Sequence, residues 1–412
     1  MIGHLFKLIW NRRRTNGLIL VELFCCFLVL CTVLTIACNY LISTSQPLGY
    51  DYGQVWHLGL ETPSFRSMDD GQKAEAWATS RQLELILDGM EEIEAWSPVD
   101  WNIPFGRSMS GYGNNINGAE EFIYQNEVLP AMKDVLSLKL LAGRWVDPGD
   151  EALNWDPVVI TRNYARALFG DEDPLGREVR SYDAEGKLKD DEEDESRVRR
   201  VVGVISDMRM KGELEPYSFC QFTHRSLPTE KYAQPAQSYL MRLQSGTTAA
   251  FEEKLMDGIR RLAPGWRFNV RTLSSMREVR LRDSLLQLAL GAVIAVFLII
   301  MVGLGLVGVL WQSVTRRTRE WGLRRAVGAP GGEVRLQVLG ELLALTTVAG
   351  TAGALVFVQL PFFEAFPAVP WTTYLLGLVV STLGMYLFVI ICGLYPSWLA
   401  TRVQPAEALQ YE

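Results

Sequence analysis

Few side chains in this sequence are spaced for covalent chemistry. Histidine is the usual acid–base and metal-ligating residue near neutral pH, and only three occur in 412 residues. His57 and His224 are isolated, with no second His or carboxylate at metal-ligand spacing, so each reads as structural. Serines and aspartates are scattered without a nucleophile elbow. No glycine turn leads into Lys-Ser or Lys-Thr, which removes a phosphate loop. Cys25, Cys26, Cys31 and Cys38 fall in one apolar stretch and Cys392 in another, leaving Cys220 alone in the polar middle of the chain. A single thiol forms no internal disulfide, and no C-x-x-C pair occurs.

Charged residues carry more information. Arg316, Arg317, Arg319, Arg324 and Arg325 crowd one short segment, and Lys7, Arg12, Arg13 and Arg14 precede the first apolar run. Glu22 sits one turn inside that run. A carboxylate at such depth is a functional candidate, although it is near enough to the interface to reach water or the Arg triplet. The run Asp190 to Glu195 reads as a solvated loop tip, with a cation site as the alternative. The net charge is −7 and no basic aromatic tract occurs, so nucleic acid is not an expected partner.

The elements that hold these residues follow from hydropathy. Hydrophobic residues make up 49% of the chain, concentrated in four stretches long enough to span a bilayer: Leu18 to Ile42, Leu285 to Trp311, Val334 to Val358 and Tyr374 to Leu399. Basic flanks set the orientation. The arginines before the first span and the Arg-rich turn between the second and third are expected on the cytoplasmic side, with both termini. The connection 359–373 has no Lys or Arg. The large block 43–284, which carries 29 basic and 40 acidic side chains, is expected outside. Ile2, Leu5, Phe6 and Ile9 recur on one helical face, so 1–17 reads as an amphipathic helix in the membrane interface, against lipid. The expected fold class is an α-helical membrane protein with one plus three transmembrane helices and a large α/β domain between the first and second. A cytoplasmic loop (312–333) and tail (400–412) complete the order. Thr35-Ile36-Ala37-Cys38 faintly suggests lipoprotein processing, but the apolar run exceeds a signal core and cleavage would strip the basic N-terminus.

Small residues in the spans read as helix-packing positions: Gly303, Gly305 and Gly308 in the second, Ala349, Gly350, Gly353 and Ala354 in the third, Gly377 and Gly384 in the fourth. In the outer block, Gln54 to Leu60, Ile93 to Ile103, Val198 to Ile205, Ser238 to Leu243 and Trp266 to Val270 read as strands, with helices at Gln72 to Gly89 and Thr248 to Leu262. A Gly- and Asn-rich stretch, Gly106 to Gly118, lies between. The pattern suggests a split α/β layer carrying an inserted lobe. Leu273 to Ser284 reads as a helical stalk running into the second span.

Leu141-Ala-Gly-Arg-Trp145, Pro157-Val-Val-Ile-Thr-Arg-Asn-Tyr-Ala-Arg-Ala-Leu-Phe-Gly170, Asp173-Pro-Leu-Gly-Arg177 and Val201-Val-Gly-Val-Ile-Ser-Asp207 resemble the MacB-type periplasmic core domain. Arg317-Thr-Arg-Glu-Trp-Gly-Leu-Arg-Arg-Ala-Val-Gly-Ala329 resembles the signature loop of FtsX-like permeases, and Tyr395-Pro-Ser-Trp-Leu-Ala-Thr-Arg-Val-Gln-Pro-Ala-Glu-Ala-Leu409 is similar to their close. Trp321 departs from the pattern, where a small aliphatic is usual. The resemblance covers nearly the whole chain in order.

It implies a non-catalytic permease subunit of an ABC system in the bacterial inner membrane, with the large domain periplasmic. Such a subunit pairs with a second copy or a paralogue and binds a cytoplasmic ABC ATPase that uses ATP and Mg²⁺; no cofactor is expected in this chain. The ATPase domain is expected on another chain. By the resemblance, Arg319, Glu320, Leu323, Arg324, Arg325, Ala326 and Val327 form the ATPase-coupling loop. A small apolar knob ringed by arginines would suit a groove on an acidic partner. The outer block would pair an α/β lobe (about 46–105 and 200–275) with an inserted lobe (about 106–199). Mechanotransmitting export with a periplasmic adaptor and outer-membrane channel is the leading expectation. Lipoprotein extraction and control of a cell-wall hydrolase are alternatives within the superfamily, and a membrane sensor is the alternative outside it.

Overall fold

A computed structural model describes residues 13–61, 65–99, 102–108, 110–116, 118–182, 198–225, 235–247, 249–263, 266–316, 331–363 and 369–401. Along the chain, helix α1 (Arg13–Thr44) precedes strand β1 (Val55–Glu61), α2 (Asp70–Asp88) and β2 (Ile93–Val99). Then follow β3 (Gly111–Ile116), β4 (Ala119–Val128), α3 (Met132–Val135), β5 (Leu140–Gly143), β6 (Asp156–Thr161), α4 (Arg162–Phe169) and β7 (Glu178–Val179). Strands β8 (Arg199–Ile205), β9 (Phe219–His224) and β10 (Ser238–Leu243) lead to α5 (Ala249–Leu262) and β11 (Arg267–Thr272). The last elements are α6 (Leu273–Arg316), α7 (Gly331–Phe357) and α8 (Trp371–Thr401). The chain divides into two compact units, one of 1–45 with 284–412 and one of 46–283.

In the helical unit, the four expected spans fall on α1, α6, α7 and α8, each long and apolar enough to cross a membrane. Ile19, Leu23, Cys26, Phe27 and Cys31 recur on one stripe of α1. They pack with Val302 and Leu306 of α6, Leu342, Leu345 and Ala349 of α7, and Met385 and Val389 of α8. Large apolar side chains such as Leu290, Phe297 and Leu304 face outward from α6, as a lipid-facing surface requires. Gly331 and Gly332 are the first residues of α7.

The α/β unit begins with a four-stranded antiparallel sheet in the order β11-β1-β10-β2. This is the split β-α-β arrangement, with α2 and α5 as its crossovers. Both helices are amphipathic at helical spacing. Leu83 and Leu87 of α2, and Phe251, Leu255 and Ile259 of α5, bury against Leu58, Leu60, Tyr239 and Met241 of the sheet. Asp69 and Gln72 close a capping box at the start of α2, which satisfies two otherwise orphaned backbone donors. Pro98 lies in β2, at the edge of the sheet, where proline is tolerated.

A second, mixed sheet of seven strands runs β3-β4-β9-β6-β8-β5, with β7 on β8. Its core continues onto the face of the first sheet opposite α2 and α5: Val128, Val159, Ile205, Cys220 and Phe222 share one cluster with Val55, Val99 and Leu240. One expectation changes here. The first lobe was expected to resume near 200, but β8 and β9 pair with β6 and β4 in the second sheet, so it resumes at β10. The Gly- and Asn-rich stretch contains an edge strand, β3. Gly111 is required there, because a Cβ would stand 1.9 Å from the carbonyl oxygen of Ile123.

Candidate functional site

The coupling residues Arg319, Glu320, Leu323, Arg324, Arg325, Ala326 and Val327 lie outside the described residues, as do the acidic run, residues 1–12 of the N-terminal amphipathic segment and the tail 402–412; residues 13–17 open α1. Arg316, at the end of α6, marks where the described chain stops before that loop.

Within the helical unit, the glycines divide into two groups. A Cβ on Gly353 would lie 2.6 Å from the Phe27 ring, and one on Gly377 would lie 1.9 Å from Thr35 Oγ1. These set close approaches of α1 to α7 and to α8. Gly303 faces Phe388 and Cys392. A Cβ on Gly384 would reach only Leu30, at 4.0 Å, and one on Gly350 would meet nothing within 4 Å, so among the described residues these two set no close approach. Glu22 is seated against Gly305 of α6, where a Cβ would come 2.7 Å from Oε2. The missing side chain at 305 makes the space that the carboxylate occupies.

The motif stretches of the α/β unit converge on β5, β6, β7 and β8. Arg144 donates its backbone N–H to the Val202 carbonyl, while Val201 and Gly176 tie the 173–177 turn to β8. Gly203 leaves no room for a Cβ, which would lie 2.1 Å from the Arg144 carbonyl oxygen. The Arg144 guanidinium donates two bonds to Asp150, at 2.5 and 3.0 Å, and Asp147 N–H donates to the same carboxylate. Arg162 donates to Asp207 Oδ2 at 2.6 Å while Asn163 N–H donates to Oδ1 at 2.7 Å, so one carboxylate holds the start of α4. Asn163 also donates to the carbonyls of Tyr217 and Ser218. These motif residues build and pin the sheet; the geometry gives them no reacting group.

The histidines are apart. His57 is buried on β1 between Leu240 and Arg271 of the neighbouring strands, and burial, with Arg271 beside it, lowers its pKa to about 4. His224 Nδ1 lies 3.6 Å from Glu151 Oε1. Cys220 is fully buried and unbridged, and burial pushes its thiol well above the usual range. Among the described residues, no group of three or more His, Cys, Asp and Glu side chains is placed to hold a metal ion.

One corner of the α/β unit escaped the sequence reading. The chain enters this unit through 46–52 and leaves it through the first turns of α6. Both segments are fastened to the loops 103–107 and 207–217. Leu273 is fully buried and Met276 packs on the same cluster. Arg277 donates to the buried carboxylate of Glu213, and Arg280 donates to the Gly106 carbonyl at 2.8 Å. Asp283 pairs with Arg107 at 2.8 Å. On the entering side, Arg209 accepts at its carbonyl from the Tyr50 hydroxyl and donates its N–H to the Leu48 carbonyl. Phe105 plugs the corner edge-on to Tyr50 and Tyr52, with a φ of 63°. No spacing rule would have linked Glu213 to Arg277. Only the one-face recurrence of Leu273, Met276, Arg277 and Arg280 hinted that the stalk is gripped.

Comparison with known proteins agrees with this layout. Residues 35–257 match the MacB-like periplasmic core domain and 292–405 match the FtsX-like permease C-terminal domain. A macrolide export ATP-binding/permease protein MacB of Syntrophobacter fumaroxidans is 33% identical over 42% of this chain and 25% of its own length. That of Chlorobium luteolum is 25% identical over 74% of this chain and 46% of its own. The chain thus spans less than half the length of these curated relatives. The periplasmic region of MacB from Actinobacillus actinomycetemcomitans superposes with a TM-score of 0.38 at 15% identity, over 55% of this chain and 92% of that one. The extracellular domain of the noncanonic ABC-type transporter YknZ from Gram-positive bacteria gives 0.34 at 13% identity, over 53% and 99%. With the periplasmic-core match covering over half of the sequence and the permease match reaching across the last three membrane-crossing helices, the chain belongs to the MacB/FtsX-like superfamily of ABC-transporter permeases.

Proposed function

We propose that this chain is the membrane subunit of a MacB-type exporter, which turns ATP hydrolysis by a cytoplasmic ATPase subunit into movement of its α/β unit on the far side of the membrane. The observation that carries this reading is α6. It is one helix from Leu273, buried in the α/β core, to Arg316, next to the Arg-rich segment. A helix is a stiff element, and one that begins in one machine part and ends at a charged docking loop is suited to carry rigid-body motion. In this reading both termini and 317–330 are cytoplasmic, the permease works as a dimer, and a periplasmic adaptor with an outer-membrane channel receives the cargo. The chain itself hydrolyses nothing; ATP and Mg²⁺ belong to the partner.

The test is placed at the docking loop. Leu323→Asp leaves every arginine in place, so topology is preserved while an apolar knob becomes charged. Arg324→Glu with Arg325→Glu reverses charge at the same interface, where losing one buried charged partner costs about 2–5 kcal/mol. Both variants are expected to lose co-purification of the ATPase, with a Thr318→Cys label still inaccessible from outside. Full ATPase binding and full transport by both would refute the coupling.

A further inference from the structure

The corner described above holds the stalk by a stripe of residues. Leu273, Met276, Arg277, Arg280 and Asp283 fall on one face of α6 at helical spacing, and each meets the α/β unit. At the centre of the stripe stands Glu213, whose side chain is 5% exposed, against 31% for Arg277. The Arg277 guanidinium also lies 5.2 Å from the centre of the Tyr52 ring. Glu213 sits in the same short loop as Arg209, whose guanidinium donates to the Glu213 carbonyl at 2.6 Å and to the side chain of Gln46, and covers the Tyr217 ring at 4.5 Å. One loop, 207–217, therefore touches the entering segment through Arg209 and the leaving helix through Glu213.

This arrangement is costlier than adhesion needs. Taking a carboxylate and a guanidinium out of water costs free energy, and apolar side chains of similar volume often hold two surfaces as well or better. What an ion pair adds is register: a guanidinium fork and a carboxylate meet in one geometry, whereas apolar side chains can slide past one another. Phe105 points the same way. Its turn, Ile103-Pro104-Phe105-Gly106, closes with Gly106 N–H donating to the Ile103 carbonyl. Phe105 occupies the position with positive φ that glycine normally fills. The backbone tolerates that conformation so that a ring can fill the corner.

We infer that Glu213 and Arg277 are the positioning pair that locks the stalk helix in register on the α/β unit, so that helix motion is delivered to the unit without slippage. The inference rests on the mechanical reading proposed above. Glu213 acts through Arg277, and neither residue touches cargo or nucleotide.

The full chain assembled with its ATPase in lipid nanodiscs provides the test. A spin label is placed at the exposed turn residue 245 through Ser245→Cys, in a background with the six native cysteines replaced. Inter-copy distances are then measured with and without ATP and vanadate. In the otherwise native chain the distance is expected to shift with nucleotide. Glu213→Gln and Arg277→Met should keep the ATPase rate within about twofold while losing at least half of that shift. The exchange Glu213→Arg with Arg277→Glu should restore it. A full shift in both single variants would overturn the positioning pair and leave the mechanical reading standing. No shift in the otherwise native chain would overturn both. Where a single variant fails to assemble, the exchange decides: recovery of assembly without the shift reduces the pair to a structural role, and recovery of both supports it.

Discussion

Phe105 offers a quantitative check on the corner, because its backbone and its ring pull in opposite directions. The residue is 2% exposed and its ring meets Tyr50 and Tyr52 at 5.8 and 5.6 Å. Removing a buried Phe ring costs about 3–5 kcal/mol. Its φ of 63° carries a steric cost that glycine escapes, about 1–2 kcal/mol for any residue with a Cβ. Glycine returns roughly 0.5–1 kcal/mol of that through its greater freedom in the unfolded chain. Phe105→Ala should therefore destabilise the α/β unit by the full cost of the lost ring. Phe105→Gly should be milder than Phe105→Ala by about 0.5–1 kcal/mol, the reverse of the usual order of the two residues. Urea unfolding of the purified protein, followed by tryptophan fluorescence, reads both midpoints. An alanine variant as stable as or more stable than the glycine variant would show that the turn carries no conformational strain.

Two further outcomes follow from geometry already described. Gly377→Ala should lower thermal stability in detergent by about 1–3 kcal/mol, the usual cost of overpacking. Thr35→Ala should not rescue it, because the Thr35 Cα itself would lie 2.8 Å from the new methyl group; Gly350→Ala, facing open space, should be neutral in the same melt. For His57, the folded pKa of about 4 lies below the ordinary value of 6.5, so the unfolded chain binds the extra proton and stability falls as pH drops between those values. The loss approaches about 3 kcal/mol at the acid end. His57→Gln should flatten the slope of unfolding free energy across that window, and an unchanged slope would place the titration elsewhere.

Local pattern made much of this architecture readable. The helices α2 and α5 and the strands β1, β2, β8, β10 and β11 stand within a few residues of where apolar periodicity puts them. The spans were legible for the same reason, since hydropathy is a property of the segment alone. Sheet membership was not. Strands β8, β9 and β10 each carry a short run of buried residues, and only the long-range partners β6 and β4 assign the first two to the second sheet. Strand β3 was hidden because Gly111, Gly113 and two asparagines read as turn residues, whereas an edge against β4 needs that lack of bulk. The ion pair at the corner joins residues 64 positions apart. Charged side chains in a helix and a loop give no local sign of which of them will meet.

The register of the first sheet has a consequence for how such a unit can be remodelled. Val99 at the end of β2 is the direct partner of Ser238 at the start of β10. Everything from 100 to 237, a whole seven-stranded lobe, thus stands where an ordinary hairpin would need only a tight turn. Its two ends are held one strand-spacing apart by a pairing it does not supply, so its length and contents are nearly free variables for the framework around it. The constraint lies on one surface. Val55, Val99 and Leu240 face the lobe, and a shorter substitute would have to bring its own apolar cover for them. With that cover supplied, the framework of β1, β2, β10 and β11 closes on itself whatever stands between 100 and 237.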